Sequence, residues 1–328
     1  MMAVPTRSDS IDTLYLATWQ IRKKKIIDAI FEVTPFYYQM TKQGRMDSQS
    51  GGKYIEVPIN YGKNTSIQFI SKGQNVTLTH DDTLTAAKYE WKYLWGHLFR
   101  YMVDDQQNKG KSQWIKKVNH DLDVLKDSLV DRLEELLFGD ATGDDGKALN
   151  GLGNLVPEDP TTGTIGDLNR ATYSWWRSQY NDMTGLEISP YLLPRMLSMW
   201  NDCGKLQGSQ RFPDIIICSQ AVHEAYNAEC FEIGRIAMPD KGMMDLGFGD
   251  LSFKGVPITW SPQCPDYAMF MLNTSTLQFL TDPGVHFSLG DWLPIVDQPG
   301  DKVAHNLTAC NLCINNPAKN GRIFNIGA

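Results

Sequence analysis

The sequence has no long hydrophobic run, and this excludes several classes of protein. No stretch of about eighteen consecutive apolar residues occurs, so we expect no membrane-spanning helix. The polar start, MMAVPTRSDS, lacks the apolar core of a signal peptide. We therefore expect a protein made in the cytoplasm that has no membrane partner.

Cysteine is scarce, with six among 328 residues, at positions 203, 218, 230, 264, 310 and 313. So few and so scattered cysteines in a chain of this length do not indicate a disulfide framework, and we expect reduced thiols. Cys310 and Cys313 form one Cys-x-x-Cys pair. A structural zinc site needs a second pair of ligands at a matching spacing, and none is near. The pair is interpreted as two cysteines of a strand.

An excess of positive charge is also absent. The chain carries 31 Lys and Arg against 38 Asp and Glu, a net charge of −7, which argues against a dedicated nucleic-acid-binding protein. Hydrophobic residues at 42% and charged residues at 21% are typical of a globular protein. The length predicts one large domain or two to three smaller ones.

Catalytic motifs are missing as well. We find no Gly-x-Ser-x-Gly elbow, phosphate loop, dinucleotide fingerprint or His-Glu-x-x-His helix, and the six histidines are dispersed. The segment DATGDDG superficially resembles a calcium loop, but it lacks the acidic residue at the loop's end and Lys147 intrudes. We expect no enzyme, no cofactor and no metal site.

The clearest positive signal is one long helix, predicted from Ser112 to Phe138. Apolar residues follow three- and four-residue steps along it, and Ser112 and Gly139 are suited to its two ends. The opposite face is charged, which predicts a helix that packs against a sheet on one side and meets solvent on the other. The apolar stripe consists of Trp114, Val118, Leu122, Leu125, Leu129, Leu133 and Leu136.

Two alternating segments precede this helix. KYIEVPINY, with Ile55, Val57, Ile59 and Tyr61 on one face, predicts a strand, and so does the longer alternation from Thr85 to Tyr101. We expect the aromatic face from Tyr89 to Trp95 to pack on the long helix. Between the strands, residues 62–84 are polar with few apolar positions, so we predict a hairpin with an extended arm that needs another surface.

The remaining segments are a basic N-terminal helix, a loop and a mixed α/β unit. The cluster formed by Arg22, Lys23, Lys24 and Lys25 is either a solvated helix face or a contact with packaged polyanion or an acidic neighbour. A long Gly-rich segment follows Gly139, and its Trp175-Trp176 pair is interpreted as packing rather than as a base-stacking platform. From Ile188 onward helices and apolar strands alternate, and a hairpin follows around Pro299-Gly300.

In this order the segments resemble the major capsid protein of tailed double-stranded-DNA bacteriophages. The stretches that carry the resemblance are GGKYIEVPINYGKN, TLTAAKYEWKYLWGHLF, LVDRLEELLFGD, ALNGLGNLV, DLNRATYSWWRS, FGDLSFKGVPITWSPQCP and YAMFMLNTSTLQF. The resemblance covers nearly the whole chain, although no single stretch is diagnostic.

The resemblance implies an α+β fold, the tailed-phage major capsid fold. Its parts would be an N-terminal arm at 1–50, an E-loop hairpin at 51–103, a peripheral domain at 104–185 and 278–316 that includes the spine helix at 112–138, and an axial domain at 186–277 and 317–328. In that family the E-loop lies across a neighbouring subunit. The alternative is an encapsulin shell, which has the same fold and encloses an enzyme cargo.

The resemblance further implies hexamers and pentamers of an icosahedral shell around packaged DNA, with weak, non-specific DNA contact. Portal and decoration proteins are expected partners. Because the arm begins within about ten residues of Met1, a separate scaffolding protein is expected, or none. Some relatives cross-link an E-loop lysine to a neighbour, but no pattern marks Lys63 or Lys72 as reactive. Candidate intersubunit contacts are Tyr61, Lys63, Ile67, Phe69, Lys72, Arg22, Lys23, Lys24 and Lys25.

Overall fold

The computed structural model describes residues 15, 18, 35–62, 67–75, 82–103, 111–205, 212–237, 251–296, 298 and 300–327. Its helices are α1 (Pro35–Lys42), α2 (Lys111–Phe138), α3 (Gly143–Gly146), α4 (Leu152–Leu155), α5 (Ile188–Cys203) and α6 (Gln220–Ala237). Within α3, Asp144 and Asp145 have positive φ, so this single turn is not a regular α-helix. Short 3₁₀ turns occur at Ser174–Trp176, Thr274–Thr276 and Pro317–Lys319.

Short strands predominate, and they group into two large sheets and two small ones. They are β1 (Met46–Ser48), β2 (Tyr54–Asn60), β3 (Leu84–Glu90), β4 (Lys92–Arg100), β5 (Thr164–Ile165), β6 (Leu168–Asn169), β7 (Gln179–Asp182), β8 (Ile215–Cys218), β9 (Ser252–Phe253), β10 (Val256–Trp260), β11 (Met269–Leu272), β12 (Leu277–Thr281), β13 (Ser288–Leu289), β14 (Leu293–Pro294), β15 (Lys302–Ile314) and β16 (Gly321–Phe324).

The predicted long helix is confirmed as α2, 28 residues from Lys111 to Phe138. Its apolar stripe is buried at Val118, Leu122, Leu125, Leu129 and Leu133, whereas exposed residues, Asp123 and Asp127 among them, lie on the other side. A one-sided stripe needs a surface to cover it, and a sheet supplies that surface. Helix α2 is therefore packed against the sheet along one face and exposed along the other.

The first large sheet is built on β15, which is thirteen residues long. Strands β12, β13 and β14 pair in succession with one edge of β15, and β1 adds in parallel to β12. Strand β4 pairs antiparallel with the other edge over nine residues. Helix α2 packs on this sheet at Gly96, where an added Cβ would lie 3.3 Å from Cδ1 of Leu125.

The second large sheet has the order β7-β16-β11-β8-β10-β9. All four residues of β8 are buried, as its continuous apolar run predicts, because one face meets α5 and α6 while the other joins the core of the first sheet. Strand β7 belongs to this sheet although it precedes residue 186. Likewise β4 belongs to the first sheet although it lies within 51–103.

The ribbon formed by β2 and β3 is anchored on its own chain. Ile55, Val57 and Ile59 are buried together with Ala87 and Tyr89, and the Tyr89 hydroxyl donates a 2.8 Å hydrogen bond to the carbonyl oxygen of Ile314. The alternation of β2 is thus confirmed, and the ribbon's base is part of the main core. Among the described residues of the arm, the most exposed apolar side chains are those of Ile67, Phe69, Ile70 and Leu84.

The expectation for the aromatic face from Tyr89 to Trp95 is wrong in part. The alternation breaks at Trp91, so that β3 pairs with β2 while β4 pairs with β15. Tyr89 is buried, but Tyr93 and Trp95 are 62% and 54% exposed, and the alternate residues of β4, including Gly96, face the helix. The physical reason is that β15 fixes the orientation of β4 independently of β3.

Candidate intersubunit surface

The arm leaves the body at Tyr61. Its ring stacks on Trp175 with centroids 5.1 Å apart and planes 16° apart, and its backbone N–H donates a 3.0 Å hydrogen bond to the carbonyl of Thr83. An aromatic pair of this kind contributes roughly 0.5–1.5 kcal/mol beyond its buried area. The base of the arm therefore has a fixed direction, and Trp175 has the packing role that the sequence predicts.

The end of the arm is a tight turn from Ser71 to Gln74. The N–H of Ser71 donates to Oε1 of Gln74 at 3.0 Å, and the N–H of Gln74 donates to the carbonyl of Ser71 at 3.1 Å. Gly73 has φ of 82°, a left-handed conformation that glycine adopts without strain. Lys72 lies on this turn and is exposed. These local bonds define the shape of the turn.

Three apolar side chains next to this turn contact little of the chain. Ile67 is 85% exposed, Ile70 is 61% exposed, and Phe69 is fully exposed. Removing one such side chain from water would contribute about 1.5–3 kcal/mol. An apolar cluster this exposed is typical of an interaction site, as predicted for Ile67 and Phe69. We call residues 67–70 the arm tip.

A second exposed apolar surface lies on β4, on the face that carries Trp95 and Phe99. Trp95 stacks on His97 with ring centroids 5.0 Å apart, and the Phe99 ring lies 4.8 Å from the Tyr101 ring with the two planes tilted by 50°. His97 stands directly opposite His305 of β15, and Trp95 also lies 5.4 Å from His305. These rings form a continuous aromatic surface on the first sheet.

A groove runs between β4 and α2, with a volume of about 500 Å³. Its apolar lining includes Leu94, Trp95, Phe99, Val124, Leu125 and Leu129. Among its charged lining residues, Asp121 accepts a 2.9 Å hydrogen bond from the Tyr15 hydroxyl, and Arg132 makes 2.7 Å bonds to Glu135 and Asp144. With Asp121 and Arg132 already bonded to the chain's own side chains, the apolar lining predominates.

Strand β4 also has an open edge along this groove. Its residues 92–100 pair with β15, and no strand in the described ranges pairs with the opposite edge. An open edge presents N–H and C=O groups that can bind a further strand. We call the open edge of β4 together with the cleft beside it the α2–β4 groove.

The N-terminal region contacts the body near this groove. Tyr15 is buried, its hydroxyl bonds to Asp121, and its ring lies edge-on to Trp292 at 5.0 Å. Helix α1 follows at 35–42 and buries Phe36, Tyr37 and Met40 in the main core. The predicted cluster Arg22, Lys23, Lys24 and Lys25 lies outside the described residues, and so does Lys63.

The candidate surface uses residues that sequence reasoning missed. Ile70 and Leu84 are exposed and apolar on the arm, and the exposed aromatic surface of β4 was predicted to be internal. The density of aromatic residues in β4 was the available signal, but periodicity alone does not say which face of a strand is covered. The groove had no sequence signal, because its two walls come from separate elements.

Other groups fit structural roles. Cys310 and Cys313 are buried in β15, and burial raises the pKa of the Cys310 thiol to about 12 and that of Cys313 further, so both stay protonated. Asp144 of the DATGDDG segment bonds to Arg132. Among the residues with described positions, no group of three His, Cys, Asp or Glu side chains could hold a metal ion. The helices in the described ranges include none that is long and apolar enough to span a membrane.

The fold has extensive similarity to shell proteins of known structure. No protein-family model matches the sequence, and no curated protein matches it. A chain of the cyanophage A-1(L) capsid asymmetric unit superposes with a TM-score of 0.66 at 16% identity, covering 87% of this chain and 91% of that one. The capsid of the native GTA particle gives a TM-score of 0.57 at 9% identity, with 88% and 90% coverage.

An encapsulin is similar as well. The holo-SrpI encapsulin complex from Synechococcus elongatus PCC 7942 gives a TM-score of 0.53 at 13% identity, covering 86% of this chain and 85% of that one. Identities this low establish a shared fold and nothing finer. The chain therefore has, through most of its length, the α+β capsid fold found in these phage capsid and encapsulin structures.

Proposed function

We propose that this chain is a major capsid protein, a structural protein that assembles into the hexamers and pentamers of an icosahedral phage shell. The observation that carries the proposal is the match to a cyanophage capsid chain over 87% of this chain and 91% of that one. A match of this extent covers most of the chain and not a single motif. Its place would be the virion, after synthesis in the host cytoplasm.

The parts of the chain support a mechanical role. Helix α2 and the first sheet form the stiff peripheral unit, and the second sheet forms an axial unit. The arm corresponds to the E-loop, and the arm tip is the part that the chain's own core does not cover. Repeated contacts between such tips and neighbouring subunits gain strength through multivalency in a closed lattice.

The partners follow from this role. DNA would be enclosed with weak, non-specific contact, because the chain's net charge is −7 and the exposed side of α2 carries Asp123 and Asp127. That side of the helix would face the interior of the shell. A separate scaffolding protein, a portal and decoration proteins would complete the particle. Tyr61, Lys63, Ile67, Phe69, Lys72 and the cluster Arg22, Lys23, Lys24 and Lys25 are the proposed intersubunit contacts.

Electron microscopy of the purified protein tests the proposal. The protein is examined alone and after co-expression with the products of neighbouring genes, and shells or isolated capsomers are expected. A protein that remains monomeric under every condition would contradict the proposal.

The second candidate is an encapsulin-type shell that encloses an enzyme cargo, supported by the similarity to the SrpI encapsulin. The contents of the particle separate the two functions. Nuclease-protected DNA in particles purified from the natural source supports the capsid function. A stoichiometric protein cargo without DNA supports the encapsulin function.

A further inference from the structure

Two histidines stand directly opposite each other on the first sheet. His97 of β4 pairs with His305 of β15, near the middle of the nine-residue pairing between the two strands. The next residue of β4, Leu98, and the preceding residue of β15, Ala304, are buried, so both imidazoles lie on the more exposed face of the sheet. Directly opposed residues in antiparallel strands have Cβ atoms about 4.5–5.5 Å apart. The backbone therefore holds two imidazoles side by side.

One indole contacts both imidazoles. Trp95 stands in the next rung of the same strand pair, opposite Leu307. Its ring stacks on that of His97 at 5.0 Å with planes 27° apart, and it lies 5.4 Å from the His305 ring with planes 34° apart. These contacts restrict both imidazoles before any ligand binds, which reduces the conformational entropy that binding removes.

The surroundings of the pair leave a ring nitrogen without a partner. Nδ1 of His305 is buried and has no hydrogen-bond partner among the described residues. A bound ion is one of the partners that explain such an atom. A neutral imidazole binds a metal ion through the nitrogen that carries no proton. Within the described ranges, no third His, Cys, Asp or Glu side chain completes a metal-binding group with the pair.

The ligand type selects the class of ion. Imidazole suits Zn²⁺, Cu²⁺ and Ni²⁺, whereas Mg²⁺ and Ca²⁺ prefer oxygen ligands. Bonds from zinc to imidazole nitrogen are about 2.0–2.1 Å long, so the two ligating nitrogens must approach each other to about 3 Å. Two side chains that start from adjacent Cβ atoms can reach this separation. With two protein ligands, the remaining positions of the ion are left to water.

We propose that His97 and His305 of one chain bind a divalent late transition-metal ion between them. The ion would link β4 to β15, the strand pair on which helix α2 packs. Both ligands belong to the same subunit, so the site needs no neighbouring copy and does not depend on the proposed function. The ion would stabilise the folded chain, because the unfolded chain does not hold the two imidazoles together.

Titration of the untagged, full-length protein with Ni²⁺ tests the site, with calorimetry as the measurement. We expect one ion per chain at the tightest site. His97→Ala and His305→Ala should each weaken this binding by about tenfold or more, since even the loss of a group that supports a metal ligand costs about 10–100-fold. His120→Ala, which removes an exposed histidine of α2, is the matched control and should bind as the wild type does. Mg²⁺ should not compete with Ni²⁺.

Spectroscopy with Cu²⁺ locates the ion. Pulsed electron paramagnetic resonance counts the coordinated imidazoles, and we expect two in the wild type and fewer in His97→Ala or His305→Ala. Bound Cu²⁺ should quench the fluorescence of Trp95, whose ring contacts both ligands. Trp95→Phe should therefore bind Cu²⁺ but lose the largest part of the emission that Cu²⁺ quenches.

Thermal unfolding gives a further readout. Free Ni²⁺ at about a hundred times its Kd should favour the folded state about a hundredfold and raise the unfolding midpoint of the wild type and of His120→Ala. The midpoints of His97→Ala and His305→Ala should not rise. Without metal, all four proteins should unfold at similar temperatures, and His97→Gln repeats the test with a polar side chain in case the alanine variant folds poorly.

The outcomes separate this site from the proposed function. Equal Ni²⁺ affinity in the wild type and in both alanine variants would overturn the site, and so would one ion shared by two chains. Neither result bears on whether shells form. A protein that binds Ni²⁺ through His97 and His305 but never assembles would support the site and contradict the proposed function.

Discussion

Oγ of Ser261 donates a 3.0 Å hydrogen bond to Oε1 of Glu134, and both residues are buried. Glu134 belongs to α2, on the first sheet. Ser261 follows β10, and its N–H donates to the carbonyl of Cys218 in the second sheet at 3.2 Å. The Glu134 carboxylate therefore connects the long helix to the second sheet.

Glu134→Gln is expected to stabilise the subunit at high pH and to leave it unchanged at low pH. Burial raises the pKa of Glu134, the Asp131 charge raises it further, and the Ser261 hydrogen bond opposes the shift. The folded state thus holds the proton more tightly than the unfolded state does. The stability contributed by neutral Glu134 is complete below the unfolded-state pKa and is lost as the pH rises through the folded-state pKa.

Urea unfolding of unassembled subunits at pH 4 and pH 8 measures this effect. The difference between Glu134→Gln and wild type should be near zero at pH 4 and positive at pH 8. Glu135→Gln is the control, since Glu135 is exposed and bonds to Arg132 on the surface. An equal difference at both pH values would show that the charge of Glu134 has no net cost.

Leu122→Ala should destabilise the subunit by about 2–5 kcal/mol, the range for a fully buried leucine replaced by alanine. Leu122 lies in the stripe that α2 buries against the first sheet. Val124→Ala, two residues along on the exposed side, should change the free energy of unfolding by no more than about 0.5 kcal/mol. Equal effects in urea unfolding would contradict the one-sided packing of α2.

Gly151→Ala should destabilise the turn that follows α2. An added Cβ would lie 2.4 Å from the carbonyl oxygens of both Gly139 and Leu136, so the backbone must shift. A cost of about 1–3 kcal/mol is expected for this overpacking. Gly143→Ala is the control, because its Cβ would meet only Ala148 at an ordinary 3.5 Å. The thermal unfolding midpoints of the two variants show whether the loss of stability comes from the steric clash at Gly151 or from replacing any glycine in this region.

Tyr61→Ala should slow assembly more than it lowers subunit stability. The variant loses the stack on Trp175, worth about 0.5–1.5 kcal/mol, and with it the fixed direction of the arm. Light scattering measures assembly, and urea unfolding measures the subunit. Tyr54→Ala, at the other end of β2, is the comparison, and it should assemble at nearly the wild-type rate. A similarly slow rate for Tyr54→Ala would show that the effect on assembly is not specific to the stack of Tyr61 on Trp175.

The sequence predicted the elements with strong periodicity. Helix α2 begins one residue before the predicted start and ends at the predicted Phe138, because a Gly-free stripe followed by Gly139 defines it locally. The alternation of β2 also predicted its buried face correctly. The break between β3 and β4 at Trp91 was not predictable. The alternation of residue types in the sequence continues across Trp91, whereas the strand changes its pairing partner there.

The candidate surface divides in the same way. The exposure of Ile67 and Phe69 agrees with their place in a polar arm, and their contact with another subunit stays a prediction. The groove was not predictable, because Leu94 and Leu125 become neighbours only when β15 holds β4 beside α2. The local sequence predicts exposed apolar residues on a projecting arm, whereas a groove between two elements depends on tertiary packing.

Tyr89 is hydrogen-bonded to Ile314 in the core, whereas Phe69 on the same arm is exposed. The residues that stabilise the folded subunit thus differ from those proposed to contact a neighbour. The ribbon is already secured by its inner residues before any neighbour arrives, so a subunit can reach its native state while dissociated. Under the proposed function, sequence change at the tip would alter shell formation without a penalty in subunit stability. A lineage of such chains could alter how readily its particles form while leaving the protein's heat resistance intact.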